Sequence, residues 1–156
     1  MKKICFFLIM LLFFMLQAAL LQPFRVFGVK PDLLLLSAVS AGLLFDLKWA
    51  LFFGIIAGFF KDILGVQAFA FNVAFFSLWS YVSHLVSRKV HLDNELFAAV
   101  FVCVVAFAHI GISRIVFAFL GITTGSTGVF ARTLLLEPLY TALLLPPAYR
   151  VFARLT

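Results

Sequence analysis

The residues of this sequence that could do chemistry are few, and they lie in or beside apolar runs. His109, Arg114 and Glu137 lie deep in long hydrophobic segments, and Lys61 and Asp62 are adjacent in another. An intramembrane enzyme needs a nucleophile or a metal close to a base at a common depth. The sequence contains no Ser/His/Asp arrangement, no His/Glu metal-ligand spacing, no paired intramembrane aspartates and no phosphate-binding loop. We therefore predict that the protein is not an enzyme and has no metal or cofactor.

Arg114 and Glu137 most need an explanation, because a charged side chain within a membrane helix is costly without a partner or water. Arg114 lies seven residues before Gly121, where the connecting turn begins, and Glu137 lies seven residues after Phe130, where it ends. Antiparallel neighbours with a rise of ~1.5 Å per residue bring both side chains ~10 Å from the turn. We therefore predict an Arg114–Glu137 ion pair that either pins two helices together or belongs to a ligand or partner site. His109, about 140° around the helix from Arg114, is expected to be a buried histidine outside this pair.

A seam of small residues leads up to Lys61 and Asp62. Gly54 and Gly58 are four residues apart and share a helix face, so another helix can approach them closely in lipid. The segment 54–62, GIIAGFFKD, echoes the segment 38–46, AVSAGLLFD, sixteen residues earlier. We therefore expect the small faces of the second and third helices to pack together. Lys61 and Asp62 either end the third helix at the membrane surface, where they reach water, or provide a polar contact for a partner there.

The composition indicates the solvent in which these residues act. Of the 156 residues, 65% are hydrophobic and 12% are charged, and the mean hydropathy is +1.21. Such a chain cannot cover a soluble core with polar groups, so we predict an integral membrane protein of one domain. Long apolar runs without period-two alternation favour helices over a β-barrel. Cys5 and Cys103 lie in such runs and are interpreted as small hydrophobic residues.

The predicted fold is an all-α polytopic membrane protein with about six transmembrane helices. Pro31 and Asp32 open the second helix, because proline fixes the helical φ and an aspartate in the first turn favours the helix dipole. Between Leu33 and Phe60, the polar segment 46–48 leaves two pieces of about 15 residues, short against the ~20 of a normal span. These pieces form either two short spans, which we favour, or a re-entrant hairpin. The six spans cover approximately residues 4–21, 31–46, 49–62, 66–86, 96–120 and 130–152.

The basic residues predict the orientation of the chain in the membrane. With six spans and a cytoplasmic N-terminus, seven Lys and Arg residues lie in inner segments and four in outer segments. This excess predicts a multi-pass protein with both termini in the cytoplasm. The net charge of +6 is then explained by contact with anionic lipid headgroups, and no nucleic-acid partner is expected. The inner residues are Lys2, Lys3, Lys48, Arg88, Lys89, Arg150 and Arg154, and the outer ones are Arg25, Lys30, Lys61 and Arg132.

Three motifs carry a resemblance to a known family. They are Lys30-Pro31-Asp32 followed by four leucines, Gly54-x-x-x-Gly58-Phe59-x-x-Asp62, and Asn72 ten residues after that aspartate. Together with the length and the order of the predicted spans, they resemble the MreD family of rod shape-determining membrane proteins over the whole chain. The family usually has a glycine two residues before the asparagine. This chain has Ala70 at that position, which weakens the prediction of a tight turn there.

The resemblance implies a non-enzymatic component of the cell-elongation machinery in the bacterial inner (cytoplasmic) membrane, which organises lateral peptidoglycan synthesis. It implies association with the bitopic protein MreC, and through MreC with MreB, the glycosyltransferase RodA and a penicillin-binding transpeptidase. Gly54, Gly58, Asp62 and Asn72 would then form the helix-contact region for the MreC-like partner.

The same family is similar in fold to the substrate-binding subunits of energy-coupling-factor vitamin transporters, which gives an alternative function. Such a subunit binds a small molecule on its outer side and docks on a transmembrane coupling subunit. The short outer segments of this chain hold few polar or aromatic groups for a ligand pocket. We therefore favour the cell-elongation role.

Overall fold

The regular secondary structure of the protein is helical, as predicted. The computed structural model describes residues 2–20, 29–65, 70–89, 95–122 and 127–155. Within these ranges there are six α-helices, and the first continues into a π-helical segment, Leu16–Leu20. Parts of the segments predicted as connections, 22–30, 87–95 and 121–128, and the predicted start of the fourth span at residue 66, lie outside the described residues. The helices are α1 Lys2–Met15, α2 Leu33–Leu44, α3 Leu47–Leu64, α4 Phe71–Lys89, α5 Glu95–Phe119 and α6 Thr127–Leu155.

Three of the described helical stretches are long and apolar enough to cross a membrane: Lys2–Ala19, Leu96–Phe119 and Gly128–Phe152. The apolar helix α2 has 12 residues and a length of about 18 Å, which is short against a hydrocarbon core of about 30 Å. The protein is thus a helical membrane protein with several apolar spans. That α2, α3 and α4 also cross the membrane, as two short spans and a full one, stays a prediction.

Helix α2 lies at the centre of the molecule. Every residue from Leu33 to Gly42 is buried, and the helix contacts α1, α3, α4, α5 and α6. Its sequence explains this central position, because a helix that is apolar on all sides has no polar face that would lie at a polar surface. After Leu44, the residues Phe45 and Asp46 turn the chain, and the Asp46 carbonyl accepts hydrogen bonds from the N–H groups of Trp49 and Ala50. The helices α2 and α3 therefore form a tight antiparallel hairpin.

Helix α4 packs so closely on α2 and α3 that its atoms leave no room for a side chain at three glycine positions. A Cβ atom added to Gly58 would lie 2.5 Å from the carbonyl oxygen of Asn72, and one added to Gly54 would collide with the Ser80 hydroxyl. On α2, a Cβ added to Gly42 would collide with the Ser80 carbonyl oxygen. The glycines of α2 and α3 therefore face a common third helix, α4, whereas the sequence predicted that these small faces pack on one another.

Larger side chains join the remaining helices to this group. Phe6 of α1 lies against Phe53 of α3 and Phe152 of α6, with ring centroids 4.7 Å apart in both pairs. On the other side, the ring centroids of Phe71 in α4 and Phe117 in α5 are 4.7 Å apart. These aromatic contacts hold α1, α5 and α6 around the α2–α3–α4 group.

Candidate functional site

The structure brings the polar residues of four elements together at the N-terminal end of α2. Asp32 is the N-cap of that helix, and its Oδ1 accepts a hydrogen bond of 3.0 Å from the Leu35 N–H. The helix begins at Leu33, so Pro31 precedes it and Asp32 caps it, whereas the sequence placed both inside the first turn. Because an N-cap carboxylate satisfies a free N–H and faces the positive end of the helix dipole, Asp32 stabilises α2 although its side chain is only 2% exposed.

Lys61, in the last turn of α3, forms an ion pair with this carboxylate. Its Nζ donates to Asp32 Oδ2 over 2.7 Å, and the lysine side chain is 23% exposed. Lys61 lies at the end of α3 as expected, and its contact with a partner there stays a prediction, but its ammonium group is bound by Asp32 of the same chain. The cause is the hairpin: Asp32 lies thirteen residues before its turn and Lys61 fifteen residues after it, so the two side chains reach the same level. The spacing of Asp32 and Lys61 around the turn could have predicted this ion pair from the sequence.

Gln17 and Thr141 complete the group, which we call the Asp32 hub: Gln17, Asp32, Lys61 and Thr141. The Gln17 amide donates to Asp32 Oδ1 over 3.5 Å, and its Oε1 accepts from the Leu34 N–H over 3.2 Å. The Asp32 N–H donates to Thr141 Oγ1 over 3.0 Å. The hub therefore joins the π-helical end of α1, the start of α2, the end of α3 and the middle of α6.

Gln17 and Thr141 were not predicted from the sequence as site residues. The signal that could have found them is a single polar side chain in an otherwise apolar run, since such a group must find a hydrogen-bond partner inside the protein. Gln17 and Thr141 are 2% and 0% exposed. The π-helical turn that carries Gln17 belongs to a class of local distortion that is frequent at functional sites.

Asp62 turns in another direction from Lys61 and caps the start of α4. Its Oδ1 accepts hydrogen bonds from the N–H and the side-chain amide of Asn72, over 3.1 and 2.8 Å, and its Oδ2 accepts from the Val73 N–H over 3.2 Å. We call Asp62, Asn72 and Val73 the Asp62 clasp. It ties the end of α3 to the start of α4, where the helix dipole favours an anion.

Ala70, just before α4, has a φ of 67°, in the left-handed region. Its carbonyl accepts the hydrogen bond of the Ala74 N–H over 3.2 Å. The backbone conformation that favours glycine is thus present at this position even though the residue is alanine. Alanine thus adopts this left-handed conformation here.

The four residues predicted as a contact region therefore lie together along one helix contact. Gly54 and Gly58 face α4 in its middle and at its start, and Asp62 and Asn72 bond to one another beyond them. The helix against the glycines is α4 of the same chain. Whether a partner depends on this region is a question for the proposed function.

Arg114 and Glu137 have different neighbours in the structure. Between two described residues there is one ion pair, Lys61–Asp32. The Arg114 Cζ lies 5.0 Å from the centroid of the Phe130 ring, and the Glu137 carbonyl accepts a hydrogen bond of 2.8 Å from the Thr141 hydroxyl. The Arg114–Glu137 ion pair is therefore not seen between the described residues, and it stays a prediction.

His109 is a buried side chain outside that pair, as expected. It is 6% exposed, and its Nδ1 accepts a hydrogen bond of 3.4 Å from the Trp79 indole. Phe76 packs against its imidazole with ring centroids 5.3 Å apart. The histidine joins α5 to α4 by packing.

The arrangement as a whole holds helices together. Among the residues that the structure describes, no three His, Cys, Asp or Glu side chains are grouped so that they could hold a metal ion. Two of the acidic side chains, Asp32 and Asp62, receive their hydrogen bonds at helix starts. The hub and the clasp therefore hold the starts of α2 and α4 in position.

Comparison with known proteins gives one match. The family model for rod shape-determining protein MreD matches residues 1–155. No curated protein and no solved structure is significantly similar to the chain, so the expected likeness to vitamin-transporter subunits stays a prediction. The match covers nearly the full length of the chain and agrees with its helical membrane architecture. The chain therefore belongs to the MreD family, a family of non-catalytic membrane proteins with a role in rod-shape determination.

Proposed function

We propose that this chain is a non-enzymatic component of the bacterial cell-elongation complex and that it acts by binding the membrane helix of a bitopic MreC-like protein. The family match over residues 1–155 carries this proposal. Through that partner the chain is linked to MreB, RodA and a penicillin-binding transpeptidase, and so to lateral peptidoglycan synthesis. It lies in the cytoplasmic membrane with both termini in the cytoplasm.

The use of the polar residues supports a role without catalysis. Asp32 and Lys61 neutralise one another, and Gln17 and Thr141 bind groups of the α2 start. Asp62 is occupied by three donors at the α4 start. Side chains committed in this way keep helices in position and are poor candidates for proton transfer or nucleophilic attack, which need a group free to change partners.

The glycine seam and the Asp62 clasp contribute by setting the position of α3 against α4. Gly58 allows the α3 backbone to contact the α4 backbone at Asn72 and Val73, and the clasp fixes the same end of the pair. A partner helix recognises a surface of fixed shape, because in lipid the attraction between helices comes mainly from close van der Waals packing. Gly54, Gly58, Asp62 and Asn72 therefore affect partner binding through the α3–α4 geometry.

Co-purification of matched glycine variants tests this proposal. The tagged chain is co-expressed with the MreC-like protein of the same bacterium and isolated in a mild detergent. We expect Gly58→Leu to lose most of the partner, because the leucine must push α4 away from its backbone contact. Gly111→Leu is the control, since a Cβ on Gly111 has no atom within 4 Å.

The outcome for the wild-type chain decides the class of function. Recovery of the MreC-like protein supports the cell-elongation role. Failure of the wild-type chain to retain that protein, with recovery of transporter ATPases instead, would contradict it and favour a vitamin-transporter substrate-binding subunit.

A further inference from the structure

The outward face of α4 carries three large side chains in a line. Leu78, Tyr81 and Leu85 are each 40–48% exposed, and their spacing of three and four residues places them along one side of the helix. We call these three residues the α4 stripe. The opposite side of α4 lies against the close glycines of α2 and α3, which fix the position of the helix. The stripe is therefore an outer surface of fixed shape.

The Tyr81 hydroxyl is the polar group of this stripe, and it is not used inside the chain. Among the residues that the structure describes, none forms a hydrogen bond with it. Other hydroxyls on the outside of the bundle are satisfied by their own helix: Ser77 donates to the Ala74 carbonyl over 2.8 Å, and Thr133 to the Val129 carbonyl over 3.0 Å. A tyrosine cannot do the same, because its ring holds the hydroxyl away from its own backbone.

The position of Tyr81 along α4 makes an unpaired hydroxyl costly. The helix has 19 residues and a length of about 28 Å, which matches a hydrocarbon core of about 30 Å when α4 crosses the membrane as predicted. Tyr81 is ten residues after Phe71 and eight before Lys89, so it lies about 12–15 Å from either end. Membrane tyrosines are enriched at the interfaces, where the hydroxyl reaches water. At the middle of the core, the hydroxyl needs an acceptor from a neighbouring molecule.

We propose that the membrane helix of the bitopic partner packs on the α4 stripe and that Tyr81 donates its hydroxyl to a Ser, Thr, Asn or Gln side chain of that helix. The proposal rests on the proposed function and adds the contact surface and the chemistry of the partner. Leu78 and Leu85 suit lipid as well as a helix, so the hydroxyl carries the assignment. Lipid tails offer it no acceptor, whereas polar side chains form hydrogen bonds between membrane helices. The competing occupant is a second copy of this chain.

Binding of the labelled full-length chain to the MreC-like protein, measured by energy transfer in phospholipid vesicles, tests the hydrogen bond and the surface separately. We expect Tyr81→Phe to weaken binding about threefold, the effect of a typical hydrogen bond between membrane helices. Tyr81→Ala should weaken it at least about tenfold, because the ring contact is lost as well. Tyr140→Phe is the control, since this tyrosine is half-buried on α6, outside the stripe. Unchanged binding by Tyr81→Phe would overturn the hydrogen bond, and unchanged binding by both Tyr81 variants would overturn the surface.

Photo-crosslinking locates the contact without relying on a loss of binding. The photoreactive amino acid benzoyl-phenylalanine replaces Leu78 or Leu85 in the stripe, or Leu143 on α6, which is 75% exposed and serves as the control. We expect crosslinks to the MreC-like protein from both stripe positions and none from Leu143. Crosslinks from the stripe to a second copy of the chain, or to the partner from Leu143 alone, would overturn the proposal and leave the proposed function standing. If the wild-type chain does not bind the MreC-like protein at all, the proposed function itself fails.

Discussion

Two regions of this molecule are packed by different means. In the α2–α3–α4 group, three glycines lie against the neighbouring helix so closely that a Cβ would collide with it: Gly42, Gly54 and Gly58. In α5 and α6, Gly111 and Gly128 have nothing within 4 Å of an added Cβ, and the contacts to the rest of the chain are made by larger side chains. A glycine in an apolar helix therefore does not mark a contact by itself.

A serine adds to the close packing of the α2–α3–α4 group. Ser80 of α4, which faces both Gly42 and Gly54, donates its hydroxyl to the Ala38 carbonyl over 2.8 Å. Glycine on one helix and serine on the other give close approach and a hydrogen bond at one place, which is a strong combination in lipid. We infer that the α2–α3–α4 group is the rigid part of the molecule and that the α5–α6 hairpin is the more tolerant part.

The largest expected effect is the loss of one partner of the buried ion pair. Lys61→Met leaves the Asp32 carboxylate buried without its cation, and removing one member of such a pair costs about 3–5 kcal/mol. The double variant Asp32→Asn with Lys61→Met should recover a large part of this loss, because asparagine can still cap α2. Thermal unfolding in detergent measures both. Equal stabilities of the wild type and Lys61→Met would show that the hub is not a structural centre.

The glycine comparison gives the next largest effect. Gly42→Leu should destabilise the protein by about 1–3 kcal/mol, because α4 has to move away from α2. Gly111→Leu should change the stability by less than about 0.5 kcal/mol, the usual range for a substitution away from close contacts. The two unfolding curves are compared in the same detergent. A loss of equal size at both positions would remove the distinction between the two regions.

The Asp62 clasp can be compared with a cap that lacks side-chain bonds. Asp62→Ala should cost about 1–2 kcal/mol through the lost capping bonds to the α4 start. Asp46, the N-cap of α3, makes no capping hydrogen bond with its side chain, so Asp46→Ala should be nearly neutral. Hydrogen exchange at the amides of Asn72 and Val73 gives a local readout. Unchanged protection there in Asp62→Ala would contradict the capping role.

The smallest effect, and the only stabilising one, is expected at Ala70. With φ at 67°, this alanine holds a conformation that costs about 1–2 kcal/mol for a residue with a Cβ. Ala70→Gly removes that strain but adds chain entropy to the unfolded state, so a net gain of about 0.5 kcal/mol is expected. A small rise in unfolding temperature would agree with this. A fall would show that the local backbone is not strained.

Much of the fold could be predicted from the sequence, because long apolar segments in lipid leave few choices. The helical class and the order of the helices follow from the hydropathy and from the polar segments between the runs. The central position of α2 did not follow, since a helix that is apolar all round has no periodic face to show which neighbours surround it.

The candidate site was harder to predict than the fold. Gly54, Gly58 and Asp62 share one stripe of α3 by their spacing, whereas Asn72 was grouped with them only through the family resemblance. The helix that lies against the glycines could not be inferred. The Asp32–Lys61 pair depends on the tight turn between α2 and α3. It cannot be predicted when each charged residue is considered only in the context of its own helix. Gln17 and Thr141 come from distant segments, so only the folded chain brings them to Asp32.

The central claim is that this MreD-family chain works as a membrane component of the elongation complex through a bitopic partner. The most direct measurement is isolation of the tagged, full-length chain from its native cells in a mild detergent, followed by identification of the proteins that accompany it. We predict an MreC-like bitopic protein in amounts comparable to the chain, with RodA and its transpeptidase in smaller amounts. The chain accompanied by transporter ATPases and a coupling subunit, without cell-wall proteins, would contradict the claim.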